Sequence, residues 1–227
     1  MAVYTRRVQA VLSEEQYKTL SRLAKEQGKP VSVLVREAVE KVYLEQVNQK
    51  RRRAALQRLL SLEAPVADWE DGGGDHPGSH SMNDSVALLD VNVPMYAAGR
   101  AHPYKEPCAW VMTEITEGRL AVAIDAEIVQ EILHRYGELR QWETGITLAS
   151  SLLDLVSIVY PVGLDDVRLA VDLFRQYAPQ GVKARDLIHV AVMHNRNLTR
   201  IISTDQHFDR IAGVVRVDPR ALFTAKT

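Results

Sequence analysis

Apolar and polar positions change period several times along the chain, and the changes divide it. Val8, Ala10 and Leu12 alternate with Arg7, Gln9 and Val11, the two-residue period of a half-buried strand. Ser13-Glu14-Glu15-Gln16 then forms a capping box, and Tyr17, Leu20, Leu23 and Ala24 share one face of the helix it opens, which Gly28 ends. A second helix starts near Ser32, where Val31, Leu34, Val35, Ala38, Val39 and Val42 recur at three and four. That stripe is too wide for so small a segment to bury alone, so a second copy is expected to cover it. Further on, Leu56, Leu59 and Leu60 form another stripe, followed by Pro65 and Trp69. Such a segment has no core of its own and is expected to fold onto a partner, with Trp69 as anchor.

From residue 86 the pattern becomes short continuous apolar runs separated by helical periods: Val86-Ala87-Leu88-Leu89, Leu120-Ala121-Val122-Ala123-Ile124, Val156-Ser157-Ile158-Val159, Arg200-Ile201-Ile202-Ser203 and Val214-Val215-Arg216-Val217. Runs without alternation predict strands buried on both faces. The expected fold is α/β, a three-layer α/β/α domain with a parallel five-stranded sheet, preceded by a small domain and a helical tail.

Charge sharpens this division. The net charge of the 227 residues is only -1, yet residues 1–60 hold 13 Lys and Arg against 6 Asp and Glu, and residues 61–75 hold none against 5. A basic head suits a polyanion. Residues 70–81, Glu-Asp-Gly-Gly-Gly-Asp-His-Pro-Gly-Ser-His-Ser, have no apolar side chain to order them and read as a linker or a tag remnant. Met82-Asn83-Asp84-Ser85 looks like a second start, so the chain is either two proteins joined or one protein with a Gly-rich linker. The expected domains are 1–45, a tail over 46–71, the linker over 72–81 and a body over 82–227. The single cysteine, Cys108, excludes an intramolecular disulfide and a thiolate zinc site. No apolar run approaches the roughly 20 residues of a bilayer span, and no secretory signal is evident, so a cytoplasmic protein without membrane contact is expected.

In parallel sheets, ligands bind beyond the carboxyl ends of the strands, which singles out particular acids. Asp90 ends the first strand, Asp205 follows the fourth, Glu131 lies on the helix after the second, and Asp186 opens the helix feeding the fourth. All four are placed to converge on one edge. Clustered carboxylates repel, a divalent cation is the simplest compensation, and oxygen-only ligation favours Mg²⁺ or Mn²⁺ over zinc. Each acid also has a structural reading: Glu131 paired with Arg135, Asp186 in a first helical turn, Asp205 as an N-cap, Asp90 in a turn. Glu127 rivals Glu131 on the same helix. Asn92, Ser203 and Thr204 are placed to position water or phosphate. His189 and His194, five apart, read as structural, and Tyr96, Trp110 and Trp142 as core or dimer aromatics.

The strand-helix-helix of the head resembles the ribbon-helix-helix family of DNA-binding dimers. That resemblance implies a strand pair in the major groove, with Arg7 and Gln9 on base edges and Val11 on a thymine methyl. Amides at Ser32 and Val33, with Lys29 nearby, would take a phosphate. Over residues 84–223, the motifs Leu88-Leu89-Asp90-Val91-Asn92, Ile128-Val129-Gln130-Glu131-Ile132-Leu133, Ala184-Arg185-Asp186-Leu187-Ile188-His189 and Ser203-Thr204-Asp205-Gln206-His207-Phe208-Asp209 resemble the PIN-domain nucleases, most closely VapC toxins of VapBC toxin-antitoxin pairs. The resemblance implies that Asp90, Glu131, Asp186 and Asp205 are the catalytic, metal-holding acids, that Asn92 is the polar position following the first acid, and that Asp209 is an outer acid. It also implies an RNA substrate, operator DNA, and an antitoxin formed by residues 1–71.

Such an antitoxin would contact the toxin through Leu56, Arg58, Leu59, Leu60 and Trp69. Antitoxins of this kind often place a basic side chain in the toxin's metal site, and here no Arg or Lys follows Trp69 before the linker. Arg58 or residues 51–53 would have to serve, or inhibition is steric. A homo-oligomer through head and body is expected. The alternative function is a DNA-binding repressor with a catalytically inactive, oligomerising body. A dehalogenase-like phosphatase wants Asp-x-Asp where this chain has Asp90-Val91-Asn92.

Overall fold

The computed structural model describes residues 8–65 and 86–225, which divide into two compact units, 1–48 and 49–227. Arg7, Trp69 and the linker over 72–81 lie outside the described residues.

In the first unit, helix α1 spans Glu14–Gln27. The expected capping box is formed: the Ser13 hydroxyl accepts from the Gln16 amide at 3.2 Å, and the Gln16 side chain accepts from the Ser13 amide at 2.9 Å. Gly28 ends the helix at φ 64°, a left-handed conformation that costs glycine little. Helix α2 covers Val31–Val39 and passes through a π-helical turn at Glu40–Leu44 into α3, Glu45–Leu60.

One expectation is corrected here. Residues 8–12 form no strand: Val8 and Val11 are 89% and 97% exposed, because a lone ribbon strand finds no ladder partner in a single chain. The apolar stripe of α2 likewise contains no buried residue, with Val35, Val39 and Val42 exposed.

In the second unit, strands β1 (Ala87–Leu89), β2 (Val122–Asp125), β3 (Ile158–Tyr160), β4 (Arg200–Ile202) and β5 (Val215–Val217) form a wholly parallel sheet of order β3-β2-β1-β4-β5. Helices α4 (Asn92–Ala98), α5 (Lys105–Thr116), α6 (Ala126–Glu138), α7 (Trp142–Leu155), α8 (Leu164–Tyr177), α9 (Ala184–Asn195) and α10 (Pro219–Thr224) connect and flank it. Alternate strand residues enter opposite layers, as the pleat requires. Leu88 and Ile201 pack with Tyr177, Leu187, Val190 and Met193 of α8 and α9, whereas Leu89, Val122, Ile124 and Ile202 pack with residues of α4 to α7.

The end of the tail belongs to this unit. Ala55, Leu59 and Ala64 are buried in the larger core, with Leu56, Leu60 and Leu62 packed against it. Ala64 bridges Gly99: its amide donates to Ala98 O at 2.9 Å and its carbonyl accepts from Arg100 at 3.0 Å. Among the aromatics, Tyr96 is buried, Trp110 half-buried and Trp142 exposed. No helix among the described residues is long and apolar enough to cross a membrane.

Candidate metal centre

The strand order reverses between β1 and β4, and the crevice beyond their carboxyl ends is where a parallel sheet opens to a ligand. Register sets the chemistry there. Leu89 pairs with Ile202, so the next residues, Asp90 and Ser203, stand side by side, both buried. The Asp90 amide donates to Ile202 O at 3.0 Å, carrying the ladder one bond further. Asp90 Oδ2 accepts from the Ser203 hydroxyl and from Asn92 Nδ2, both at 2.5 Å, while Oδ1 accepts from the Val91 amide at 2.7 Å. Asn92 Oδ1 accepts from the Thr204 amide at 3.3 Å, and Ser203 Oγ from the Asp205 amide at 2.9 Å. Asn92 and Ser203 thus tie the first acid to the loop that carries the last.

Glu131 and Asp186 come from helices. Glu131 lies on the buried face of α6, and Arg185 on the first turn of α9 holds its Oε1 at 3.0 Å; the pairing with Arg135 weighed above is replaced by this one. Asp186 follows at once. The ligand atoms of Asp90, Glu131 and His189 lie within 4.8 Å of one another, as do those of Asp186, Asp205 and His207; Glu127 belongs to neither group.

Electrostatics couples the two groups. Burial raises Asp90 to about 7, opposed by His189 and the Ser203 hydrogen bond and reinforced by Glu131 and Asp186. Burial, then the Asp205 charge, raises Asp186 to about 6. Burial alone would lower His189, yet Asp125 and Glu131 outweigh it and hold its pKa well above the ordinary value. Glu131 Oε2, Asp186 Oδ2 and His189 Nε2 are buried without a hydrogen-bond partner among the described residues. Buried polar atoms are ordinarily paired, so these three atoms, in or beside the two groups of ligand atoms, fit residues that would hold a cation.

Other sequence-derived residues lie elsewhere. Asp209 is exposed and receives both arms of Arg216 at 3.0 Å, and Arg216 also donates to Ser203 O at 3.2 Å, so the arginine links Asp209 to the loop. The tail arginines do not reach the acids. Arg51 and Arg58 share Asp154 of α7, Arg53 grips Glu117 at 2.8 and 2.9 Å, and Arg52 bonds Ser157. In the head, Lys29 Nζ pairs with Glu37 at 2.7 Å, and the Val33 amide donates to Pro30 O at 2.9 Å; the expectation of a free amide there is corrected, since the first helical turn already uses it. Gln9, Val11 and Ser32 are exposed.

Sequence reasoning did not single out Asp125 or Arg185 and read His189 as structural; the structure sets all three against the acids, Arg185 on Glu131 and His189 between Asp125 and Glu131. The signal was available. Asp186 and His189 are three apart on one helix and therefore share a face, and Asp125 ends β2 as Asp90 follows β1.

A parallel sheet of this order, with acids at its reversal, defines a class, and residues 87–214 match the PIN domain family. The chain belongs to that family, and residues 6–47 match the ribbon-helix-helix protein, copG family. The body is similar to ribonuclease VapC13 of Mycobacterium tuberculosis, 35% identical over 132 residues, which cover 58% of this chain and 99% of the relative. Ribonuclease VapC23 of the same species is 33% identical over 53% of this chain and 93% of its own length. Among solved structures, VapBC2 from Rickettsia felis bound to a promoter DNA fragment aligns with a TM-score of 0.48 at 13% identity, over 59% of this chain and 98% of that one. The chain is of VapBC type, a PIN domain joined to an antitoxin-like ribbon-helix-helix domain.

Proposed function

We propose that the body, residues 82–227, is a metal-dependent endoribonuclease that hydrolyses RNA phosphodiester bonds, and that residues 1–71 are its antitoxin. The observation carrying this reading is the convergence of Asp90, Glu131, Asp186 and Asp205 at the sheet reversal, with buried atoms of Glu131 and Asp186 unpaired. The four acids would hold Mg²⁺ or Mn²⁺, which when bound activates water and offsets phosphate charge. Ser203 and Asn92 fix the Asp90 carboxylate, and Thr204, whose backbone amide donates to Asn92, would orient phosphate or water. Arg185 holds Glu131 in place.

The head, residues 1–45, would bind operator DNA as a dimer. Arg7, Gln9 and Val11 would read bases, and Lys29 with the Ser32 end of α2 would meet phosphate, supporting autoregulation. The tail, residues 46–71, would inhibit by covering the body through Leu56, Arg58, Leu59, Leu60 and Trp69. Arg51, Arg53 and Arg58 are engaged by Asp154 and Glu117 rather than by the acids, so inhibition would be steric.

The test is cleavage of total cellular RNA by residues 82–227 and by the full chain, with Mn²⁺ or EDTA. Relatives matched over almost their whole length by this region alone justify the shorter piece. Cleavage by the body in Mn²⁺, lost in EDTA and in Asp90→Asn, is expected. A folded Asp90→Asn protein with full activity would refute the assignment.

A further inference from the structure

We propose that His189 is itself a ligand of the metal, positioned by Asp125, so that the centre has a mixed nitrogen and oxygen donor set. This rests on reading the acidic cluster as a metal site. His189 lies one turn beyond Asp186 on α9 and is 1% exposed. Its Nδ1 is 2.8 Å from Asp125 Oδ2. A carboxylate accepts and does not donate, so Nδ1 carries the hydrogen, and Nε2 is the atom turned toward the acids. Nε2 stands 3.7 Å from Glu131 Oε2, too far for a hydrogen bond, and has no other hydrogen-bond partner among the described residues. Glu131 Oε2 is unpaired in the same way. One cation between Nε2, Glu131 and Asp90 would satisfy both orphans at once, and these ligand atoms already lie within 4.8 Å of one another.

The support behind the ring has the form that metal-binding imidazoles use, a carboxylate on the far nitrogen that fixes tautomer and orientation. Asp125 is held in turn: it is fully buried, ends β2, and its Oδ1 caps α6 by accepting from the Ile128 amide at 3.2 Å. A purely structural His-Asp pair would not require a second carboxylate, Glu131, 3.7 Å from Nε2 and beyond hydrogen-bond distance. When the metal binds, the Nε2–metal bond forms and any proton on Nε2 passes to solvent. An imidazole donor also favours transition cations over Mg²⁺.

The experiment uses the full chain with Mn²⁺ as probe. Binding is followed by the loss of the free-ion electron paramagnetic resonance signal, and the ligand by electron spin echo modulation from ¹⁴N. The wild-type chain and His207→Gln should show ¹⁴N coupling to bound Mn²⁺, and His189→Gln should lose it. Asp125→Asn, which preserves shape and can still cap α6, should bind Mn²⁺ about 10- to 100-fold more weakly with an unchanged circular dichroism spectrum. If His189→Gln does not fold, the Asp125→Asn affinity carries the test. Bound Mn²⁺ without ¹⁴N coupling, coupling that persists in His189→Gln, or unaltered affinity in Asp125→Asn overturns the proposal while leaving the metal site standing. No Mn²⁺ binding by the wild-type chain overturns the metal reading itself.

Discussion

Leu59→Ala probes whether residues 49–65 are held to the body by the contacts described. Leu59 is fully buried, and its neighbours Ala55 and Ala64 are buried beside it. Truncating a fully buried leucine costs about 3 kcal/mol, within a measured spread of about 2–5. The segment ends in two backbone hydrogen bonds, Ala64 to Ala98 and Arg100 to Ala64, whose amides report on docking directly. A loss of about 3 kcal/mol corresponds to roughly a hundredfold rise in the undocked population, at about 1.4 kcal/mol per factor of ten. Hydrogen exchange of the Ala64 and Arg100 amides should accelerate by about that factor, limited by global unfolding, with amides of β1 and β4 affected less. Asp154→Ala, which releases Arg51 and Arg58, should produce a much smaller change because exposed ion pairs contribute little. Unchanged Ala64 and Arg100 exchange in a folded Leu59→Ala protein would refute the reasoning. An Asp154→Ala effect as large as that of Leu59→Ala would show that charge, not burial, fixes the segment.

The metal-free chain should lose thermal stability as pH rises. Asp90 at about 7 and Asp186 at about 6 stay protonated in the fold well above their ordinary value, so the folded state binds the extra protons, and stability present at low pH is lost through pH 6 to 7. His189, raised by its carboxylates, acts in the same direction. Melting in EDTA at pH 5.5 and 8 checks this, and the stabilisation by Mn²⁺ should be larger at pH 8. Gly145→Ala should destabilise the body by about 1–3 kcal/mol in a denaturant titration, because the added Cβ would stand 2.8 Å from Tyr136 Cβ. Arg7→Ala should weaken operator binding by about 1–3 kcal/mol per contact and relax sequence preference, whereas Lys29→Ala should weaken all DNA binding alike; mobility shifts across salt concentrations separate the two.

The sheet was legible because its central strands β1, β2 and β4 are largely buried on both faces and written as continuous apolar runs, and the partly exposed edge strands β3 and β5 carry similar runs, all displaced from the observed strands by a residue or two. Asp90 and Asp205 were legible for the same reason, since a polar residue at the end of such a run has only the sheet edge to occupy. Glu131 and Asp186 needed helix phase as well. What escaped was contact between elements distant in sequence. Nothing local tells that Arg185 would hold Glu131, or that Asp125 would meet a histidine 64 positions on. Asp186 and His189, three apart on α9, share a helical face, which the five-residue spacing of His189 and His194 does not reveal. The tail leucines were recognised as needing a partner surface, but the destinations of Arg51, Arg53 and Arg58 depend on where Asp154 and Glu117 emerge on the folded body. The head failed as a strand for a different reason: its alternation describes a pairing that one chain cannot make.

Ala55, Leu59 and Ala64 complete the core of a body to which they are also covalently joined. Their docking is unimolecular, so the docked fraction is the same at any protein concentration, and dilution cannot separate them. A single cut between residues 66 and 85 would change the order of that equilibrium without altering one contact. The docked fraction would then fall on dilution, and the same core residues would become those of a dissociable subunit.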